Sequence, residues 1–208
     1  GKIKYCFSPG VGDVNLLGDV SSFEDDLSFR GIKCFLADNT VENPSKHDFE
    51  KKNLNVFNDE KNFTLESWVK LKVGNVNEDN LILQMDIEGS ELGVIYNISE
   101  EYLKKFKVLV IEFHDFHFLG SYFGIRVLDE VFSKLLRNFS ICHIHPNNCC
   151  GITSLNDKTI PSVMEITFIN NDEVKYKKPV EYTFPHKLDF KNVTNKKDII
   201  LPEIFYKK

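Results

Sequence analysis

The sequence predicts an α/β fold: a seven-stranded, mostly parallel sheet with helices on both faces and an antiparallel closing strand. Three observations carry this reading. Apolar runs of strand length, such as Leu81-Ile82-Leu83-Gln84-Met85 and Val108-Leu109-Val110-Ile111, have the continuous character of strands buried on both faces. Segments with helical spacing alternate with them. The last two strand-like runs, 140–145 and 163–170, have no long helix between them, which suits an antiparallel pair.

Residues 3–8 read as the first strand, and Pro9-Gly10-Val11-Gly12-Asp13 turns the chain. A helix is predicted over 20–29, with Ser21 or Ser22 as N-cap and Glu24, Asp25 and Asp26 in its first turn. Phe23 and Leu27 share one face, and Gly31 suits the C-terminal end. Residues 32–37 form the second strand, with Asp38 at its end; Pro44 then interrupts, and 53–57 reads as a third. Thr64 caps a short helix over 65–71. Residues 81–85 are the fourth strand, 91–98 a short helix, 102–106 a helical turn capped by Ser99, and 108–113 the fifth strand. The clearest helix is 124–138, where Ile125, Leu128, Val131, Phe132, Leu135 and Leu136 follow three-and-four spacing. The sixth and seventh strands are 140–145 and 163–170, separated by a loop through Asn147, Asn148 and Gly151. One domain is expected over 1–178. Residues 179–208, irregular and rich in Pro, Phe and Tyr, are expected as an extended arm packed on it.

The chain has 208 residues, enough for one sizeable core. Its net charge of −5 is spread without a basic stripe, which argues against a nucleic-acid partner. No apolar run approaches the ~20 residues of a transmembrane segment. Of the five cysteines, Cys6, Cys34 and Cys142 lie in apolar runs as small hydrophobes. Cys149-Cys150 reads as a turn carrying two thiols. An odd count without a framework suggests a reducing, cytoplasmic compartment. The chain opens Gly1-Lys2 without an initiator methionine, and the expectation is a domain of a longer polypeptide.

Three predicted strands end in Asp, Glu or His: Asp86-Ile87-Glu88, Glu112-Phe113-His114 and His143-Ile144-His145. In open α/β sheets, ligands sit outside the carboxyl ends of the strands. The first loop, Ser8-Pro9-Gly10-Val11-Gly12-Asp13, has glycines where a backbone must turn and approach a ligand. Asp38 stands where an acid takes ribose hydroxyls in dinucleotide folds. The third glycine of the dinucleotide fingerprint is absent, since Asn15 stands there. That counts against an NAD-binding module. An acid inside the loop suits a cofactor bearing positive charge and no phosphate, such as S-adenosylmethionine.

Met85-Asp86-Ile87-Glu88-Gly89-Ser90-Glu91 resembles the Asp-x-Glu-Gly-x-Glu signature of FkbM-like S-adenosylmethionine-dependent methyltransferases. The run from Phe7 through Gly31 to Asp38 resembles their cofactor-binding start. Ile111-Glu112-Phe113-His114, His143-Ile144-His145-Pro146-Asn147-Asn148 and Glu165-Ile166-Thr167-Phe168 resemble later blocks. The likeness covers about residues 5 to 170. It implies a Rossmann-like methyltransferase sheet and O-methylation of a sugar or glycan hydroxyl. It also implies a setting in a larger glycan-modifying protein, with fused glycosyltransferase domains as partners. Ser8, Gly10, Val11, Gly12, Asp13, Asp38 and Asp86 are then the expected cofactor-binding residues, and Asp86, Glu112, His114, His143 and His145 the expected catalytic ones. Two arrangements are open. A histidine could be the general base while Asp86 holds substrate. Alternatively, Asp86, Glu112 and His143 could hold Mn²⁺ or Mg²⁺ and lower the hydroxyl pKa. A non-catalytic binding module is the remaining alternative.

Overall fold

The computed structural model describes residues 2–12, 21–42, 46–74, 80–175 and 185–205; Asp13, Asn15, Pro44 and residues 179–184 and 206–208 of the expected arm lie outside them. The chain divides into two compact units, Gly1–Ile111 and Glu112–Lys208. Seven strands form a mostly parallel sheet with one antiparallel region, so the predicted α/β class is the observed one.

In the first unit, β1 (Tyr5–Pro9) lies between β2 (Lys33–Ala37) and β6 (Leu81–Met85), parallel to both. The edge strand β3 (Asp48–Glu50) joins β2, and β7 (Phe106–Phe113) joins β6, again in parallel. A short β4 (Asn53–Leu54) pairs instead with β5 (Asn62–Phe63), so the predicted third strand is cut short and β3 takes the edge. Lys72 bridges Asp48 and Glu50 at 2.6 Å each, offsetting the repulsion between two acids on that edge. The apolar runs give a core on both faces. Cys6, Cys34, Leu36 and Ile82 fill one cluster, while Phe7 meets Phe35 and Trp68 at 5.0 Å each. The predicted caps hold for α2 (Leu65–Val73), where Thr64 Oγ1 accepts from Ser67 N, and for α4 (Glu100–Leu103), where Ser99 Oγ accepts from Tyr102 N. Between them in space of sequence, α3 (Glu91–Asn97) follows β6 after a five-residue loop.

One helix face is not the predicted one. In α1 (Ser22–Phe29), Phe23 is 40% exposed and Phe29 is 92% exposed, while Glu24 is 5% exposed. Glu24 turns inward because the Ser8 hydroxyl donates to its carboxylate, a bond that hydropathy cannot report.

In the second unit, α5 (Tyr122–Asn138) starts two residues early, capped by Ser121, whose Oγ accepts from Gly124 N at 3.0 Å. Leu128, Val131 and Leu135 are buried, whereas Ile125 and Leu136 are about half exposed, so the apolar stripe is narrower than its spacing suggested. Phe113, Phe132 and Phe168 supply the aromatic core. Strand β8 (Phe139–Pro146) runs antiparallel to β11 (Met164–Asn170), as predicted. Cys142 on β8 is exposed, not buried as expected. The sequence reading missed a hairpin, β9 (Ile152–Leu155) with β10 (Lys158–Pro161). Its turn residues Asn156 and Asp157 both have positive φ, and that Asn-Asp pair was the available signal. Cys149 and Cys150 are joined as a disulfide, which corrects the reading of two free thiols.

Candidate active site

The first unit carries a cleft of about 210 Å³ at the carboxyl ends of β1, β2 and β6. Gly10, Ala37, Asp38, Thr40, Asp86 and Glu88 contribute to its lining. Gly10 brings two strands together there. Its N–H donates to Ala37 O at 3.0 Å, Asp86 N donates to Pro9 O at 3.2 Å, and its φ is +85°. A Cβ at this position would lie 1.3 Å from the Asp86 carbonyl oxygen, so only glycine permits the crossing. Asp38 is held from below by this loop: its Oδ2 accepts from Val11 N at 3.0 Å, and its Oδ1 from the Thr40 N–H at 2.7 Å and hydroxyl at 2.6 Å. A carboxylate offers about four acceptor sites, so these three bonds orient Asp38 and leave it capacity for a ligand hydroxyl.

Of the remaining expected cofactor residues, Val11 serves through its backbone and is itself buried, and Gly12 is part-exposed beside it. Ser8 does not line the cleft. It is 1% exposed, with its hydroxyl on Glu24 and 2.5 Å from the Gln84 amide. Its hydroxyl thus ties β1 to α1 and β6.

Asp86 ends β6 and lines the cleft, and the loop after it is strained. Glu88 has φ +55° and Gly89 φ +104°. A non-glycine residue in that region is uncommon and costs of order 1–3 kcal/mol. The loop is fastened by Glu91, which is fully buried: its Oε1 accepts from Ile87 N at 3.0 Å and Gly89 N at 3.1 Å, and its Oε2 from Gly89 N at 3.1 Å. Thus the third acid of the Asp-x-Glu-Gly-x-Glu run clamps the loop that carries the first two. An Asp or Gln could not place two oxygens over both N–H groups with the same charge. Glu91→Ala is expected to destabilise the protein by roughly 2–5 kcal/mol, since two N–H groups lose their buried partner. Urea unfolding would show it as a lower midpoint at unchanged slope.

The far wall is built by a polar loop. Asn53, Leu54 and Asn55 line the cleft. The turn behind them is organised by Asp59, whose carboxyl is held below its ordinary range by the Asn62 side chain and the Lys61 and Asn62 N–H groups. Sequence reasoning singled out Glu88 among the strand-end acids but overlooked Thr40, Asn53 and Asn55. The asparagine density of 53–62 was the only hint.

The other expected catalytic residues belong to the second unit. Glu112, near the end of β7, accepts from Asn147 Nδ2 at 2.6 Å. His114 follows at the end of that strand, half-buried. His143 and His145 lie on one face of β8 and both engage Asp189, at 2.8 Å and 3.5 Å. Burial works against the Asp189 charge, but the His186 N–H and the two imidazoles outweigh it and hold its carboxyl below the usual range. Glu165, opposite His145 on β11, is pushed up by burial despite a bond from Asn192. The imidazoles are thus fastened to residues of the C-terminal arm. An ion held by Glu112 and His143 would have to compete with Asn147 and Asp189.

The family model of the Methyltransferase FkbM domain matches residues 59–177, more than half of the chain. The chain belongs to the FkbM methyltransferase family. No curated protein matches it. The matched stretch of this FkbM methyltransferase includes Asp86, Glu88 and Glu91, whereas Gly10 and Asp38 precede it. Members of a methyltransferase family use S-adenosylmethionine in general, and the cleft residues fit that group. Asp38, Asp86 and Glu88 are all acidic, and none of the described lining residues is basic. Such a lining favours a cationic ligand with hydroxyls and disfavours a pyrophosphate. Among the described residues, no helix is long and apolar enough to cross a membrane.

Proposed function

We propose that this protein is an S-adenosylmethionine-dependent O-methyltransferase acting on a hydroxyl of a sugar or glycan. The observation that supports this most is the acidic cleft, in which Asp38 and Asp86 end neighbouring parts of one parallel sheet on either side of Gly10. When bound, S-adenosylmethionine supplies an electrophilic methyl on a positively charged sulfur. Asp38, pre-oriented by Val11 and Thr40, takes the ribose hydroxyls. Gly10, Val11 and Gly12 present backbone to the cofactor. Asp86 orients the acceptor hydroxyl and takes its proton, the step a positioned base accelerates by ~10²–10⁴-fold. Glu112 and His114 are the further candidates for that role. His143 and His145, engaged with Asp189, act instead by holding the arm. A divalent cation is not needed for this scheme.

The NAD-binding alternative is disfavoured by the same acids, which would face a pyrophosphate. A place beside glycosyltransferase domains in a larger glycan-modifying protein rests on family likeness alone. A cytoplasmic setting is supported by the free thiols of Cys6, Cys34 and Cys142, while the Cys149–Cys150 bond counts against it. Calorimetric titration with S-adenosylmethionine and with NAD, followed by transfer of labelled methyl to a glycan panel, tests the proposal. Binding of the first alone and label on a sugar oxygen is the expected result. Binding of NAD alone overturns it.

A further inference from the structure

We propose that the Cys149–Cys150 disulfide is a redox modification site: its reduction to two thiols loosens the C-terminal arm and the anchor of Glu112. The bond closes a small ring through the peptide that the two residues share, so it restricts the backbone of both. Cys149 is part-exposed and Cys150 exposed, and Gly151 beyond them has φ +87° and open space around it. The pair thus lies at the surface, on the side from which a reductant approaches.

Two chains of contacts start on this ring. Cys149 N donates to Asn147 Oδ1 at 2.8 Å, and Asn147 Nδ2 donates to Glu112 Oε1. In the other direction, Cys149 O accepts from Lys196 Nζ at 2.5 Å. Asn148, adjacent to the ring, exchanges two bonds with the Val193 backbone, at 2.8 Å and 3.0 Å. The rest of the arm's attachment is also polar, through Asp189 to His143 and His145 and through Asn192 to Glu165. Leu188, Phe190 and Ile200 are largely exposed, and among the described residues 185–205 Leu201 is the one fully buried apolar side chain. A segment held by directional bonds responds to small backbone changes at their donors and acceptors, because hydrogen bonds weaken steeply with angle.

The chemistry balances with a dithiol reductant. Its thiolate attacks Cys150 Sγ, the S–S bond breaks, and Cys149 leaves as a thiolate that takes a proton. The second thiol of the reductant displaces Cys150, which is protonated in turn, and the reductant ends as its own disulfide. The protein gains two electrons and two protons.

The test uses the full chain, air-oxidised, then reduced with dithiothreitol, then reoxidised. Reduction is expected to raise amide exchange over 185–205 by about tenfold, with reoxidation restoring protection. The double variant Cys149→Ser/Cys150→Ser should exchange like the reduced protein and ignore dithiothreitol, whereas Cys142→Ser should respond like the wild type. Finding free thiols at 149 and 150 in the oxidised protein, or equal arm exchange in both states, overturns the proposal. The Glu112 branch rests on the methyltransferase reading with Glu112 near the acceptor, and predicts that reduction lowers turnover by up to ~10²-fold, the loss a misplacement of about 1 Å can bring. Unchanged turnover with a loosened arm overturns that branch. Absence of methyl transfer in every state tells against the methyltransferase reading, while the exchange measurement still decides the arm.

Discussion

The Asp86→Asn variant is expected to transfer methyl groups at least ~10²-fold more slowly than the wild type while binding S-adenosylmethionine within about tenfold of it. The side chains have the same shape, so the Pro9–Asp86 backbone bond and the clasp on Gly10 persist. What is lost is the charge and the proton acceptor at the carboxyl end of β6. A steady-state comparison of kcat with a calorimetric Kd separates the two effects. Wild-type turnover in this variant would remove Asp86 from the chemistry and leave Glu112 and His114 as the groups to test.

Gly10→Ala is expected to abolish cofactor binding and cost about 3 kcal/mol or more of stability. Two independent penalties meet there. The residue sits at φ +85°, which an L side chain rarely adopts, and the added methyl would overlap the Asp86 carbonyl, a backbone atom that cannot swing aside. The β1–β6 crossing must therefore open, moving Asp86 and Val11 apart and taking the Asp38–Val11 bond with them. Thermal unfolding with and without S-adenosylmethionine would report both losses. A variant that keeps its melting temperature and its cofactor-induced shift would show that the close approach is dispensable.

Much of the framework was legible because its determinants are local. Strand β6 needs only its own apolar run to be buried on both faces, and Thr64 and Ser99 cap helices from within three residues. Gly10 could be singled out because turn chemistry is written in adjacent residues. The hairpin at Asn156-Asp157 was equally local and was overlooked because its strands are short and half-exposed.

The roles of the acids and histidines were a different matter. Sequence alone determined the parallel α/β framework, the glycine turn after β1, and the presence of carboxylates and imidazoles at successive strand ends. Only the tertiary structure decided which of them meet: Glu24 with Ser8, 16 positions away, Asp38 with Val11, 27 away, and His143 with Asp189, 46 away. Hydropathy and spacing describe how one segment meets solvent. Hydrogen-bond partners are chosen by the folded backbone, which brings distant segments within 3 Å and leaves no mark of that choice in either segment by itself.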